Sequence, residues 1–187
     1  MESVGFKEWA LVCEALGRGE QTVLVRKGGI AEGKAGFAFR HREFFLFPTF
    51  FHEQAVKVRV PDPRIPAPRE GEVEIRYFAK LEGQREITAW PEAEALAPFH
   101  ILAEPVVKER FEYKGAGIHV GLVRVFRLEP IWVLPDRPAY GGCRSWVELP
   151  ASPPQMGFEP VLSDEKFPKV LRGFEQGFAK EDGRRSR

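Results

Sequence analysis

Arg26, Lys27, Gly28 and Gly29 form the first of three segments whose residue types could do chemistry. They follow a strand-like apolar run, 23–25. Consecutive glycines after a strand allow backbone N–H groups to converge on an anion, and the two cations before them would strengthen the attraction. This pattern favours a phosphate group or a nucleic-acid backbone as the ligand. It is also typical of a hairpin turn with solvated charges, and the Gly-Lys-Ser/Thr ending of a phosphate-binding loop is absent.

The second segment contains Thr49, His52 and Glu53, which follow the apolar run 44–47. A histidine exchanges a proton near neutral pH, so His52 could act as a general acid or base with Thr49 or Glu53 assisting. The alternative is a structural or phosphate-contacting histidine. The sequence lacks HExxH, paired CxxC and comparable ligand spacings, so we predict neither a metal site nor a cofactor.

The third segment is 140–146, Tyr-Gly-Gly-Cys-Arg-Ser-Trp. Its two glycines allow a tight turn or a close backbone approach. Arg144 is predicted to contact a phosphate or a carboxylate, because its guanidinium presents paired donors. A nucleophilic cysteine needs a neighbouring base, and Arg144 is not one, so we interpret Cys143 as a small buried hydrophobic residue.

Composition restricts the classes of function. The net charge of +1, from 28 basic and 27 acidic side chains, gives no global argument for nucleic-acid or membrane binding, but the charges can still segregate into a local basic patch. The chain has no asparagine and 16 prolines, which is typical of thermophilic proteins. No apolar run approaches a membrane span, and the N-terminus does not resemble a signal peptide. We therefore expect a cytoplasmic protein.

The elements that must position the three segments are those of an α+β domain. Residues 4–17 carry Phe6, Trp9 and Cys13 at helical spacing and are predicted to form an amphipathic helix. We predict one domain over 1–180, with a stiff proline-rich loop at 61–71, and a disordered polar tail at 181–187. Its sheet is predicted to be mainly antiparallel (mixed), with about three flanking helices. Further predicted strands cover 21–26, 36–47, 56–60, 72–81, 86–90, 117–134 and 143–149, and further helices begin at Pro91 and cover 163–180.

Four runs occur together in this chain: KEWALVCEAL at 7–16, RKGGI at 26–30, FFLFPTFFHEQ at 44–54 and YGGCRSWVEL at 140–149. With this combination the chain resembles the bacterial family catalogued as domain of unknown function 1802, over roughly residues 5–150. That family has been noted fused to restriction-endonuclease-type domains. The resemblance therefore implies a link to restriction–modification systems.

A fainter resemblance concerns the order of elements. The runs TVLVRKGG, FPTFFHEQ, YFAKL and ITAWPEAEAL follow the order of strands and helix in Nudix hydrolases. The Nudix box, with its carboxylates, is missing. The resemblance therefore implies a Nudix-like fold without the magnesium-dependent chemistry.

Three functional hypotheses remain open. The first is a binding module in which the segment 26–29, His52 and Arg144 form an anion pocket that engages nucleic acid, as an accessory to a restriction system. The second is a small hydrolase that acts on a phosphorylated or nucleotide substrate through His52, Thr49 and Glu53. The third is a structural partner protein whose aromatic residues lie in a subunit interface. The first hypothesis requires that 26–29, 49–53 and 140–145 meet in one cleft.

Overall fold

A computed structural model describes residues 3–27 and 37–179. These ranges contain seven strands and four α-helices, joined by short 3₁₀ helices at His52–Lys57, Ala97–Phe99 and Pro138–Tyr140. The strands are β1 (Val4–Trp9), β2 (Val23–Arg26), β3 (Glu43–Thr49), β4 (Glu72–Ile87), β5 (Ile118–Pro135), β6 (Trp146–Glu148) and β7 (Gly157–Pro160). The helices are α1 (Ala10–Arg18), α2 (Trp90–Ala95), α3 (Glu104–Glu112) and α4 (Phe167–Ala179).

The seven strands form one mixed sheet. Its order is β2-β5-β4-β3-β1-β6, and β7 pairs with β5 beside this path. The pair β1 and β3 is parallel, and the other strand pairs are antiparallel. Among the described residues the sheet is open, with β2 and β6 at its edges. The predicted α+β fold with a mainly antiparallel sheet is confirmed, with four helices where about three were expected.

Two hydrophobic cores lie on opposite faces of this sheet. Successive side chains of a strand point to opposite faces, and β3 shows this alternation. Phe44 and Leu46 belong to the core under the helices, whereas Phe45 and Phe47 belong to a second core with Trp132. Because β3 is buried on both faces, its sequence is a continuous apolar run.

The predicted helix at 4–17 is wrong in its first half, since residues 4–9 form β1. The spacing of Phe6 and Trp9 fits a helix, but pairing with β3 and β6 buries this segment and decides its conformation. Gly5 fits this packing, because a Cβ atom there would lie 2.9 Å from the Val147 side chain. The helix α1 ends before Gly19, whose φ of +73° favours glycine.

The predicted tail at 181–187 lies outside the described residues. Within 3–27 and 37–179, none of the helices combines the length and the apolar character that crossing a bilayer requires.

Candidate anion-binding groove

The C-terminal half of β1 is where the three predicted segments meet. From the first segment, Arg26 donates a hydrogen bond from its guanidinium to the carbonyl oxygen of Lys7. From the second, Thr49 donates its hydroxyl to the carbonyl oxygen of Glu8 at 3.1 Å. The Lys7 ammonium donates to two carbonyl oxygens of the third segment, those of residues 140 and 142, each at 2.8 Å. Parts of all three segments therefore converge on two residues of β1.

Strand pairing explains why β1 occupies this position. In the parallel register with β3, Trp9 lies opposite Thr49, and in the antiparallel register with β6, Phe6 lies opposite Trp146. The backbone N–H of Lys7 also donates to the carbonyl oxygen of residue 145 at 2.8 Å. Since side chains alternate along a strand, the side chain of Lys7 points to the face opposite that of its two neighbours.

A buried ionic cluster supports β1 from the helical face. The carboxylate of Glu8 is 2% exposed and lies 3.5 Å from the guanidinium of Arg26. Arg110 lies over the ring of Trp9, 4.7 Å from its centroid, and donates to the carbonyl oxygen of Val25 at 2.8 Å. Burial lowers the pKa of Arg110 to about 10, and Arg26 acts in the same direction whereas Glu8 opposes it. Arg26 is therefore charge-paired with Glu8 and links the end of β2 to β1.

The opposite face of β1 borders an open groove of about 540 Å³, here named the Lys7 groove. Thr49 of the second segment and Tyr140 of the third both line it. Its charged lining residues are Lys7, Arg69, Glu72, Asp136 and Arg137. The groove therefore holds three cationic and two acidic side chains.

Burial and neighbouring charges both act on Lys7. Burial lowers its pKa most, and the charges of Arg144 and Arg26 lower it further, whereas Cys143 and Asp136 act in the opposite direction. A lowered lysine pKa means that the surroundings oppose the charged form. Arg137 and Arg144 are exposed, and neither has an ion-pair partner within residues 3–27 and 37–179.

The loop 137–145 carries these two arginines on either side of a glycine turn. Gly142 has a φ of +80°, a conformation that side chains disfavour, so glycine is required there. The strand after this turn begins only at Trp146. Cys143 consequently lies in the exposed turn, and the prediction that it is buried is wrong.

Lys27 lies at the end of α3, away from these contacts. Its ammonium donates to the carbonyl oxygens of Gly115 at 2.5 Å, Gly117 at 2.6 Å and Phe111 at 3.4 Å. An ammonium has three donors, so these carbonyls use all of them. An anion-binding role for Lys27 stays a prediction, and the predicted contributions of 28 and 29 lie outside the described residues.

Of the three predicted catalytic residues, only Thr49 lines the Lys7 groove. The exposed His52 and Glu53 form the first turn of the following 3₁₀ helix and do not line it. The buried Gln54 holds this turn against α1, since its amide oxygen accepts from the N–H of Leu11 at 3.0 Å. Roles in catalysis for these three residues stay a prediction. Across the described part of the chain, no cluster of three or more His, Cys, Asp and Glu residues could hold a metal ion.

The residue patterns did not single out Lys7, Arg137 and Phe50, which also line the groove. Phe50 lies within the second segment, and Arg137 lies just before the third, so a wider third segment would have included it. Lys7 has no local signal, because its partner Tyr140 is 133 positions away.

The family model for Domain of unknown function (DUF1802) matches residues 5–172. The chain belongs to this family. The match confirms the family that the four sequence runs indicated, and DUF1802 is defined without a known function. No curated protein matches the chain.

Among solved structures, the DUF1802 chain is similar to an ASCH protein from Zymomonas mobilis. That crystal structure has 14% sequence identity and a TM-score of 0.44, and the alignment covers 91% of this chain and 94% of the other. Two mutants of the same protein give TM-scores of 0.45 and 0.43 at 14% identity. Those alignments cover 91% and 92% of this chain, and 95% and 98% of the mutant chains.

Proposed function

We propose that the Lys7 groove binds phosphate groups and that this DUF1802 protein is a nucleic-acid-binding module. The observation that carries the proposal is the position of the Lys7 ammonium, held by the third segment in a groove that Thr49 and Arg137 also line, with the charge of Arg144 nearby. Backbone carbonyls hold this ammonium, and Arg137 and Arg144, exposed on the neighbouring loop, have no ion-pair partner among the described residues. An anionic guest would lower the electrostatic free energy of such a site.

The distribution of charge along the groove supports a phosphate backbone as the guest. Arg69 lies 3.6 Å from Glu72, so this pair contributes little net charge. Arg137 and Arg144 are exposed on the loop at one side, and Lys7 lies between that loop and β3. Lys7 and Arg137 line the open groove together with the acidic Asp136, and Arg144 lies on the same loop as Arg137. Cations at such separate positions suit a chain of phosphates, whose counterions they displace on binding.

The hydrolase and the structural-partner hypotheses stay predictions. We also propose that the module is an accessory to a restriction–modification system. The support for this role is the family resemblance alone.

A salt series with charge-neutralising variants tests the proposal. Fluorescence anisotropy of short labelled DNA and RNA oligonucleotides is measured from about 50 to 300 mM NaCl, and the logarithm of the binding constant should fall linearly with that of the salt concentration. Arg137→Gln and Arg144→Gln should each reduce the slope by about 0.7 to 0.9, the value expected for one phosphate contact.

Arg64→Gln is the matched control, because Arg64 is an exposed arginine of the proline-rich loop and does not line the Lys7 groove. This variant should keep the slope of the wild type. Absent or salt-insensitive binding would count decisively against the proposal. Identical salt slopes for the wild type, Arg137→Gln, Arg144→Gln and Arg64→Gln would also contradict it.

A further inference from the structure

Phe50 is an exposed aromatic residue inside the Lys7 groove. Its relative accessibility is 39%, whereas Phe47 of the same groove is 5% exposed. The neighbouring Phe51 packs edge-on against Trp9, with ring centroids 5.1 Å apart. Among the described residues, Phe50 makes no such ring contact. Its ring therefore remains available to a guest in the groove.

The surroundings of Phe50 combine apolar surfaces with cations. Pro48 and Pro138 line the same groove, and so do Lys7 and Arg137. A volume of about 540 Å³ lies within the range of pockets that enclose small organic ligands. A free aromatic ring beside cations is the combination that binds unpaired bases, because each base can stack while its phosphate meets a positive charge.

We infer that the Lys7 groove selects single-stranded nucleic acid, with one unpaired base stacked on the ring of Phe50. This inference rests on the proposed function and adds the class of nucleic acid to it. Bases within a duplex are stacked on each other and cannot present a face to Phe50, whereas the bases of a single strand can. The phosphates of the same strand would contact Lys7 and Arg137. Stacking and charge therefore contribute to the binding affinity through different residues, and substitutions can separate the two contributions.

The test compares Phe50→Ala, Phe50→Trp and the wild type on single strands and duplexes of the same sequence, each as DNA and as RNA. The wild type should bind single strands more tightly than duplexes. Phe50→Ala should weaken single-strand binding about 5- to 150-fold, the loss typical for one stacked base. Its salt slope and its duplex affinity should stay unchanged, and Phe50→Trp should retain single-strand affinity.

Val56→Ala is the matched control, because Val56 is an apolar residue that is 81% exposed in the adjacent 3₁₀ helix and does not line the groove. Circular dichroism and urea unfolding establish that each variant is folded. A preference for single-stranded DNA or for single-stranded RNA supports the inference in either case and identifies the sugar that is recognised.

The two possible failures are distinguishable. Salt-dependent binding with equal affinity for single strands and duplexes, or an unchanged single-strand affinity in Phe50→Ala, overturns the inference and leaves the proposed function standing. Absence of salt-dependent binding to every oligonucleotide overturns both.

Discussion

At the scale of the residue, His100 couples stability to pH. Its side chain is 5% exposed, and neither ring nitrogen has a hydrogen-bond partner among the described residues. Burial lowers the pKa of His100 to about 4, and the charges of Arg59 and Arg110 contribute to this shift. In the unfolded chain the pKa returns to about 6.5. The neutral ring therefore contributes stability that is fully present above pH 6.5 and is lost as the pH falls toward 4.

Replacing His100 with leucine should flatten this acid dependence. Between about pH 7 and pH 4.5 the wild type should lose roughly 1 to 3 kcal/mol more of its free energy of unfolding than the variant loses, because only the wild type takes up this proton on unfolding. Urea titrations at the two pH values measure the difference. His52→Gln is the control, since His52 is exposed. Equal acid losses in wild type and His100→Leu would show that this histidine does not set the dependence.

At the scale of the element, Lys27 links β2 to the junction between α3 and β5. Its three hydrogen bonds go to carbonyl oxygens at the end of α3 and in the turn that follows. Hydrogen bonds from a charged donor are each worth about 1.5 to 3 kcal/mol. Lys27→Met removes the Lys27 donor from each of the three carbonyl oxygens. We expect the variant to lose about 1 to 3 kcal/mol of unfolding free energy in urea.

The matched control is Lys169→Met on the exposed side of α4. Unchanged stability of Lys27→Met, together with weaker oligonucleotide binding, would instead assign Lys27 to the anion site.

Elements with a strong local pattern were predictable, and elements made by long-range pairing were not. The alternation at 117–134 predicted β5, and the apolar spacing at 163–180 predicted α4. The prediction of a strand at 56–60 was wrong. A 3₁₀ helix continues to Lys57, and Val58 forms only an isolated bridge with Leu102. Whether a segment such as 56–60 forms a strand depends on whether a partner strand lies beside it. Local propensity contains no information about that partner.

At the scale of the whole molecule, the sequence could state but not test the hypothesis that the three segments meet in one cleft. Arg26 contacts β1 on the helical face, whereas Thr49 and Tyr140 line the Lys7 groove on the other face. Local patterns pointed to Arg144, which follows a glycine turn, and to Thr49, which lies with His52 at a strand end, and their roles stay predictions. The roles of Lys7 and Glu8 follow from the position of β1 between β3 and β6. That position depends on contacts between distant parts of the chain, so no short pattern encodes it.

The two cores should unfold together, as one domain over 1–180 would, because β3 carries side chains of both on its opposite faces. Ile75 and Leu122 are each 0% exposed, one in each core, so Ile75→Ala and Leu122→Ala should each cost about 2 to 5 kcal/mol of unfolding free energy. Far-UV circular dichroism and tryptophan fluorescence should give one coincident urea transition in both variants. Val56→Ala, at a site that is 81% exposed, should change the free energy by less than about 0.5 kcal/mol. Separate transitions, with each variant shifting only one of them, would instead divide the chain into two cooperative units.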